Sequence, residues 1–192
     1  MTATAAMALS PRAAHLLRST LNFALMQAGW FACVLGAAHG LPWLGTGATV
    51  AIVAWHAARA ERPAEELKLV ALVVLAGGAY DSALTAAGWV AFPNGQFVSW
   101  LAPHWIFALW ALFATGLNVS LAWLKGRWWL AAAIGAVASP LSYWAGVQLG
   151  AATFIDPPRM LAALALGWAV ILPAILRLAR RYDGYTGSGS AA

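Results

Sequence analysis

The stretch GGAYDSALT, residues 77–85, lies in the middle of an apolar run from about residue 67 to residue 92. A run of that length can cross a bilayer as a helix. Asp81 is the one acidic residue that falls well inside such a run. A carboxylate at membrane depth costs about 2.5–3.5 kcal/mol on insertion scales. We therefore expect Asp81 to be protonated, paired or facing a wet cavity, and to mark a functional site.

The composition indicates an integral membrane protein with one domain. Of 192 residues, 62% are hydrophobic and only 9% are charged, against about 25% charged in soluble domains. The net charge of +5 does not indicate nucleic-acid binding, because the basic residues stand at the ends of apolar runs and not in one patch. The single cysteine, Cys33, excludes an intrachain disulfide and a thiolate metal cluster. We expect no cofactor, no metal and no nucleic-acid partner.

Six apolar runs predict an all-α membrane protein with six transmembrane helices. The spans are expected at about residues 21–38, 43–58, 67–92, 98–124, 128–152 and 160–178. Residues 1–19 are expected to form a cytoplasmic or interfacial segment, and residues 20–178 the six-helix transmembrane domain. Residues 179–192, which end in a Gly-Ser-rich tail, are expected to form a flexible cytoplasmic tail.

The distribution of basic residues predicts the orientation of the chain. With the N-terminus in the cytoplasm, ten Lys and Arg residues fall inside and only Arg159 falls outside. Cytoplasmic loops carry the excess of Lys and Arg. An even number of spans returns the C-terminus to the same side, so both termini are expected in the cytoplasm of a bacterial inner membrane.

Two of the predicted spans carry a face of small and polar residues. In the third span this face contains Gly78, Asp81, Ser82 and Thr85, and in the fourth it contains His104, Thr115 and Asn118. Small residues let helices approach closely, and hydroxyls hydrogen-bond between them. These faces should therefore point into the bundle. Trp105, Leu109 and Leu112 lie away from that face in the fourth span and are expected to face lipid.

Asp81 and His104 are expected to meet between adjacent antiparallel helices, directly or through a water or Tyr143. A carboxylate beside an imidazole lowers the cost of burying both groups, and an imidazole can exchange protons near neutral pH. Two interpretations stay open. The pair could be a structural hydrogen bond that fixes helix register, or it could carry chemistry with Asp81, His104 and Tyr143 as catalytic groups. A Ser-His-Asp arrangement with Ser82 is disfavoured, since no nucleophile elbow is present.

Further polar and aromatic residues at membrane depth are candidates for ligand binding. Trp30, Trp110, Trp144 and Trp168 lie too deep for an interfacial aromatic belt, so they either pack in the core or line a pocket. The candidate ligand-binding residues are Gln27, Trp30, Ser82, Thr85, Trp110 and Asn118.

Several short motifs together resemble an uncharacterised bacterial family of small multi-pass membrane proteins, catalogued as domain of unknown function 2878. They are LNF at 21–23, QAGWF at 27–31, LGAA at 35–38, YDS at 80–82, PHW at 103–105, LWALF at 109–113, LNVS at 117–120, WL at 123–124 and PLSYWAG at 140–146. The resemblance covers about residues 20–178. It implies a location in the bacterial cytoplasmic membrane and no established activity. An association of the family with lipid-modifying enzymes of the cyclopropane-fatty-acid type favours a lipid as substrate or partner.

Three functions are compatible with these features. The first is a protein that binds, and could modify, a lipid or other hydrophobic ligand in a pocket between the third, fourth and fifth spans. The second is a small proton-coupled transporter in which Asp81 titrates. The third is a non-catalytic scaffold of a membrane lipid-modifying complex, with another membrane protein as its partner. Whether the protein is an enzyme stays open.

Overall fold

The computed structural model describes residues 10–185 and shows an all-helical protein. Residues 1–9 of the predicted N-terminal segment, 1–19, and residues 186–192 of the predicted tail, 179–192, lie outside the described residues. The six helices are α1 (Pro11–Ala38), α2 (Pro42–Ala58), α3 (Pro63–Ala86), α4 (His104–Leu117), α5 (Trp128–Gln148) and α6 (Pro157–Arg181). Two short strands, β1 (Val90–Ala91) and β2 (Thr153–Phe154), pair antiparallel.

Proline marks the start of four of these helices, namely α1, α2, α3 and α6. A proline in the first turn costs no intrahelical hydrogen bond, and its fixed φ already suits the helix. Side chains cap two of the starts: Ser10 accepts from the Ala13 amide, and Asp156 accepts from the Arg159 amide. These helices therefore begin before the apolar runs, so α1, α3 and α6 start three to ten residues earlier than hydropathy alone predicts.

The fourth helix is the centre of a four-helix group. It packs against α1, α2 and α3, which enclose it on three sides. Trp105 and Leu112 are consequently 2% and 1% exposed, and Leu109 is half-buried. Our expectation that these three residues face lipid is wrong for Trp105 and Leu112, because other parts of the protein pack against both side chains. The helix is also shorter than predicted, since residues 93–103 and 118–121 form irregular backbone beside it.

The last two helices form an antiparallel hairpin. Gly135 on α5 lets the backbone of α6 approach closely, because a Cβ at this position would lie 2.3 Å from the Trp168 carbonyl oxygen. The hairpin joins the four-helix group through the β1–β2 pair and through the Tyr80 hydroxyl, which donates to the Ala163 carbonyl at 2.8 Å. It packs far more extensively within itself than against the four-helix group.

Four of the helices, α1, α3, α5 and α6, are long and apolar enough to cross a membrane. The remaining two contain 17 and 14 residues, or about 26 and 21 Å at 1.5 Å per residue. The hydrocarbon core of a bilayer is about 30 Å thick. The six predicted helices are therefore present, and four of them have the dimensions of a transmembrane span.

Candidate functional site

Asp81 lies on the buried side of α3 and is 2% exposed. Each of its carboxylate oxygens accepts one short hydrogen bond. Tyr143 of α5 donates its hydroxyl proton to Oδ1, and Trp110 of α4 donates from Nε1 to Oδ2, both at 2.6 Å. Hydrogen bonds to a charged acceptor are stronger than neutral ones. Asp81 therefore ties together three helices from inside the molecule.

Two glycines one turn before Asp81 make room for this arrangement. A Cβ at Gly77 would lie 1.9 Å from the Trp110 ring, and one at Gly78 would lie 2.1 Å from the Phe107 ring. Because neither glycine has a side chain, two aromatic rings of α4 pack directly on the α3 backbone. This packing presents the Trp110 indole nitrogen to Asp81.

The expected contact between Asp81 and His104 is not formed. His104 Nδ1 is 2.8 Å from the Thr46 hydroxyl, and its ring stacks on Trp43 at 4.0 Å. His104 is the first residue of α4, six positions before Trp110, which corresponds to about 9 Å along the helix. Trp110, and not His104, therefore lies at the depth of Asp81. Tyr143, which was expected to lie between Asp81 and His104, does contact Asp81.

A cavity of about 310 Å³ lies beside Asp81. We call it the interhelical cavity. Its walls come from α1, α4, α5 and α6, with Asp81 of α3 at one point of the wall, so it occupies the gap between the four-helix group and the α5–α6 hairpin. Gln27 on α1 and Ala138 on α5 line the cavity and are also exposed. The cavity therefore opens on the outer surface between α1 and α5.

The wall of the interhelical cavity is mostly apolar, and its buried polar groups fall into two sets. One set is paired: Asp81 as above, and Trp30, whose Nε1 donates to the Ser142 hydroxyl at 3.1 Å. The other set consists of Ser139 Oγ and Trp168 Nε1, which are buried and have no hydrogen-bond partner among residues 10–185. Buried polar atoms normally have a partner, so these two are the atoms that a bound molecule could satisfy.

The candidate ligand-binding residues divide between this cavity and other places. Gln27, Trp30 and Trp110 line it. Ser82 and Thr85 are buried, but their hydroxyls donate to carbonyls of their own helix, at Gly78 and Asp81 respectively.

Asn118 belongs to a second buried cluster, at the end of the molecule where α2 ends and α3 begins. Glu66, which is 0% exposed, accepts from Asn118 at 2.6 Å and from the Gly184 amide at 2.7 Å. Its other oxygen is 2.8 Å from Nε2 of the buried His56. We name Glu66, His56, Asn118, Gly184 and Tyr185 the Glu66 cluster.

Tyr185 closes the Glu66 cluster from the C-terminal side. Its hydroxyl donates to the His56 carbonyl at 2.6 Å. Burial, with the Glu66 carboxylate as a second cause, raises the pKa of Tyr185 to about 12. The hydroxyl therefore stays protonated at neutral pH and holds the chain beyond α6 against the end of α2.

Hydropathy alone misses the Glu66 cluster, because Glu66 falls between the second and third predicted spans and His56 falls near the end of the second. Helical spacing along α3 would have identified Glu66 as a residue that faces inward. The buried positions Glu66, Val70, Val73, Gly77 and Asp81 follow one face of α3 at spacings of three and four, which is the pattern of an inward helix face. The same count on α2 connects the buried Gly45, Thr49 and His56.

No metal site is visible in the described part of the chain, since residues 10–185 contain no cluster of three His, Cys, Asp or Glu side chains.

Comparison with known proteins identifies the family. Residues 19–174, most of the chain, match the family described as "Protein of unknown function (DUF2878)". The chain belongs to this family. The match confirms the resemblance drawn from the sequence motifs. The matched range includes all of α2 to α5, with Asp81, Ser139 and Tyr143, and it also includes Trp168 of α6. No curated protein and no solved structure matches the chain.

Proposed function

We propose that the protein binds a lipid or other hydrophobic molecule in the interhelical cavity, as a multi-pass protein of the bacterial cytoplasmic membrane. The observation that carries the proposal is the cavity itself, with its largely apolar wall, its few polar groups and its opening between α1 and α5. Binding sites for small molecules typically have 300–1,000 Å³ and combine an apolar lining with a few polar groups.

The opening supports a ligand that arrives from the membrane. It lies between two helices that are long and apolar enough to cross a bilayer, so it would face acyl chains and not water. A chain longer than the cavity can leave its remainder in the lipid. Any proton exchange with the ligand would fall to Asp81 and Tyr143 in the cavity wall. His104 is the first residue of α4 and does not line the cavity. We therefore propose no part for it in this exchange.

In this proposal all six helices cross the membrane, with both termini in the cytoplasm. The ten-to-one distribution of Lys and Arg supports the orientation. The short α4 can take part because the irregular residues next to its two ends, 102–103 and 118–119, are buried in the protein. Non-helical backbone at membrane depth is tolerated where protein surrounds it.

Filling the cavity tests the proposal. We expect Ala138→Phe, which places a ring at the cavity mouth, to remove a hydrophobic molecule that co-purifies with the wild-type protein. Val137→Phe is the matched control, because Val137 is the preceding residue on α5, is 61% exposed and does not line the cavity. The measurement is mass spectrometry of organic extracts from equal amounts of folded protein.

Retention of the same molecules by Ala138→Phe and Val137→Phe would contradict binding in the cavity. An unrelated membrane protein, purified in parallel, serves as a second control. If the wild-type protein carries no more lipid than this control, the proposal is contradicted, and the scaffold or the transporter is favoured.

A further inference from the structure

The charges around the interhelical cavity restrict what its ligand can be. Asp81 is the only Asp or Glu in the described wall, and that wall contains no Lys, Arg or His. A carboxylate or phosphate inside the cavity would meet no cation and would lie near the Asp81 carboxyl group. Burying an unpaired charge in an apolar site is strongly unfavourable. The wall therefore disfavours an anionic headgroup.

The buried hydrogen-bonding groups of the wall are already paired, with two exceptions, whereas Gln27 and Trp123 contribute further polar groups at exposed positions of the wall. Both Asp81 oxygens accept from protein donors, and Ser142 accepts from Trp30. The exceptions are Trp168 Nε1 and Ser139 Oγ, for which the described residues supply no partner. Ser139 is 6% exposed. An indole nitrogen can only donate, and a hydroxyl can donate or accept. Both groups can therefore donate a hydrogen bond to an acceptor atom of a ligand.

The packing around Trp168 holds its donor in one place. Its ring stacks on Trp110 with 4.7 Å between centroids and an angle of 14° between planes. It meets Phe113 edge-on at 5.3 Å. On the backbone side, Gly135 permits close contact of α5 with the Trp168 carbonyl. Because a fixed donor loses little freedom on binding, this wall is preorganised for a hydrogen bond.

We propose that the ligand is a neutral lipid whose polar end is an oxygen acceptor, a hydroxyl or a carbonyl, bound by Trp168 Nε1 and Ser139 Oγ. This inference rests on the proposed function, since it names the ligand class of the same cavity. The neutral oxygen satisfies the two unpaired groups without bringing a charge near Asp81. The hydrocarbon chain lies along the apolar wall and leaves between α1 and α5.

A series of C16 probes separates this ligand class from others. The probes are hexadecanol, methyl hexadecanoate, hexadecane, hexadecanoate and hexadecyltrimethylammonium, added to the full-length protein in lipid nanodiscs, with occupancy read by native mass spectrometry. We expect the alcohol and the ester to bind about tenfold more tightly than hexadecane, which corresponds to one hydrogen bond. We expect hexadecanoate to bind more weakly than the alcohol because the wall offers it no cation. We expect the same of the ammonium because it has no acceptor atom for Trp168 Nε1.

Trp168→Phe tests the donor, because phenylalanine keeps an aromatic ring for the stacking and lacks the N–H. It should lower the affinity for hexadecanol about tenfold and leave that for hexadecane unchanged. Trp144→Phe is the matched control, since Trp144 is 54% exposed and does not line the cavity. Ser139→Ala should act in the same direction as Trp168→Phe.

The outcomes distinguish the two proposals. If no C16 probe binds, the proposed function fails and this inference fails with it. If the probes bind but hexadecanoate or the ammonium binds most tightly, or Trp168→Phe weakens the alcohol and the alkane equally, the neutral-oxygen ligand is refuted while a hydrophobic binding function stands.

Discussion

At the scale of single residues, the hydrogen bond between Asp81 and Trp110 depends on the absence of a side chain at Gly77. Gly77 has no side chain, so the Trp110 ring lies on the α3 backbone with its nitrogen 2.6 Å from the carboxylate. The spacing of small and polar residues in α3 predicted an inward face, and Gly78, Asp81, Ser82 and Thr85 are indeed buried. The identity of the partner could not be predicted, because it depends on where α4 begins.

We expect Gly77→Ala to destabilise the protein by about 1–3 kcal/mol, as overpacking of a core does, because the added methyl would overlap the Trp110 ring. Gly146→Ala is the control: this glycine is also inside a helix, α5, but a Cβ there would meet nothing within 4 Å. It should be neutral or slightly stabilising, since alanine favours helix. Thermal unfolding in detergent measures both. Equal effects of the two substitutions would show that the contact of Trp110 with α3 is unimportant.

At the scale of elements, hydropathy located all six helices but placed their ends poorly. The first turns of α3 and α6 contain Pro and charged residues. Hydropathy excludes such residues from an apolar run, so it places the starts of these helices too late. The fourth helix was predicted too long for the opposite reason, because the segments that flank it are apolar but irregular. Its shortness moved His104 to the helix start and away from Asp81.

The beginning of α3 also offers a direct comparison of a buried and an exposed glutamate. Glu66 bonds His56, Asn118 and Gly184 from full burial, whereas its neighbour Glu65 pairs with the exposed Lys68. We expect Glu66→Gln to cost about 1–3 kcal/mol of folding free energy, because it leaves buried hydrogen-bonding groups of the Glu66 cluster without a matching partner. Glu65→Gln should change stability little, because exposed pairs contribute little. Both lie in the same helix turn, so the effect of the helix dipole is matched.

Chemical unfolding in mixed micelles measures both glutamate variants. Equal stability of Glu66→Gln and Glu65→Gln would mean that the Glu66 cluster does not hold the ends of α2, α3 and α6 together.

At the scale of the whole molecule, the four-helix group and the α5–α6 hairpin meet through a few hydrogen bonds, the β1–β2 pair and the aromatic contacts of Trp168, and the interhelical cavity lies between them. A one-dimensional sequence could indicate which residues are unusual at membrane depth, and it did so for Asp81, Tyr143, Trp30 and Trp110. It could not show the gap between two groups of helices, which arises from how the hairpin docks. That Ser139 and Trp168 lie in the wall of one cavity is visible only in the structure.

The proposed orientation can be tested with two reporter cysteines in a Cys33→Ala background. Ser99 and Glu61 are both exposed and lie in loops at opposite ends of the molecule. We expect Ser99→Cys, but not Glu61→Cys, to react with a membrane-impermeant maleimide added to spheroplasts. Reaction of both should follow only after the membrane is broken. The reverse pattern would place the termini outside the cytoplasm.

An experimental density map of the protein in lipid nanodiscs would show whether a lipid occupies the interhelical cavity. We expect elongated density that enters between Gln27 and Ala138 and ends within hydrogen-bonding distance of Trp168 Nε1 and Ser139 Oγ, with Asp81 bound to Tyr143 and Trp110. A map in which side chains fill this space, or in which α5 packs directly on α1 and α4 without a gap, would contradict it.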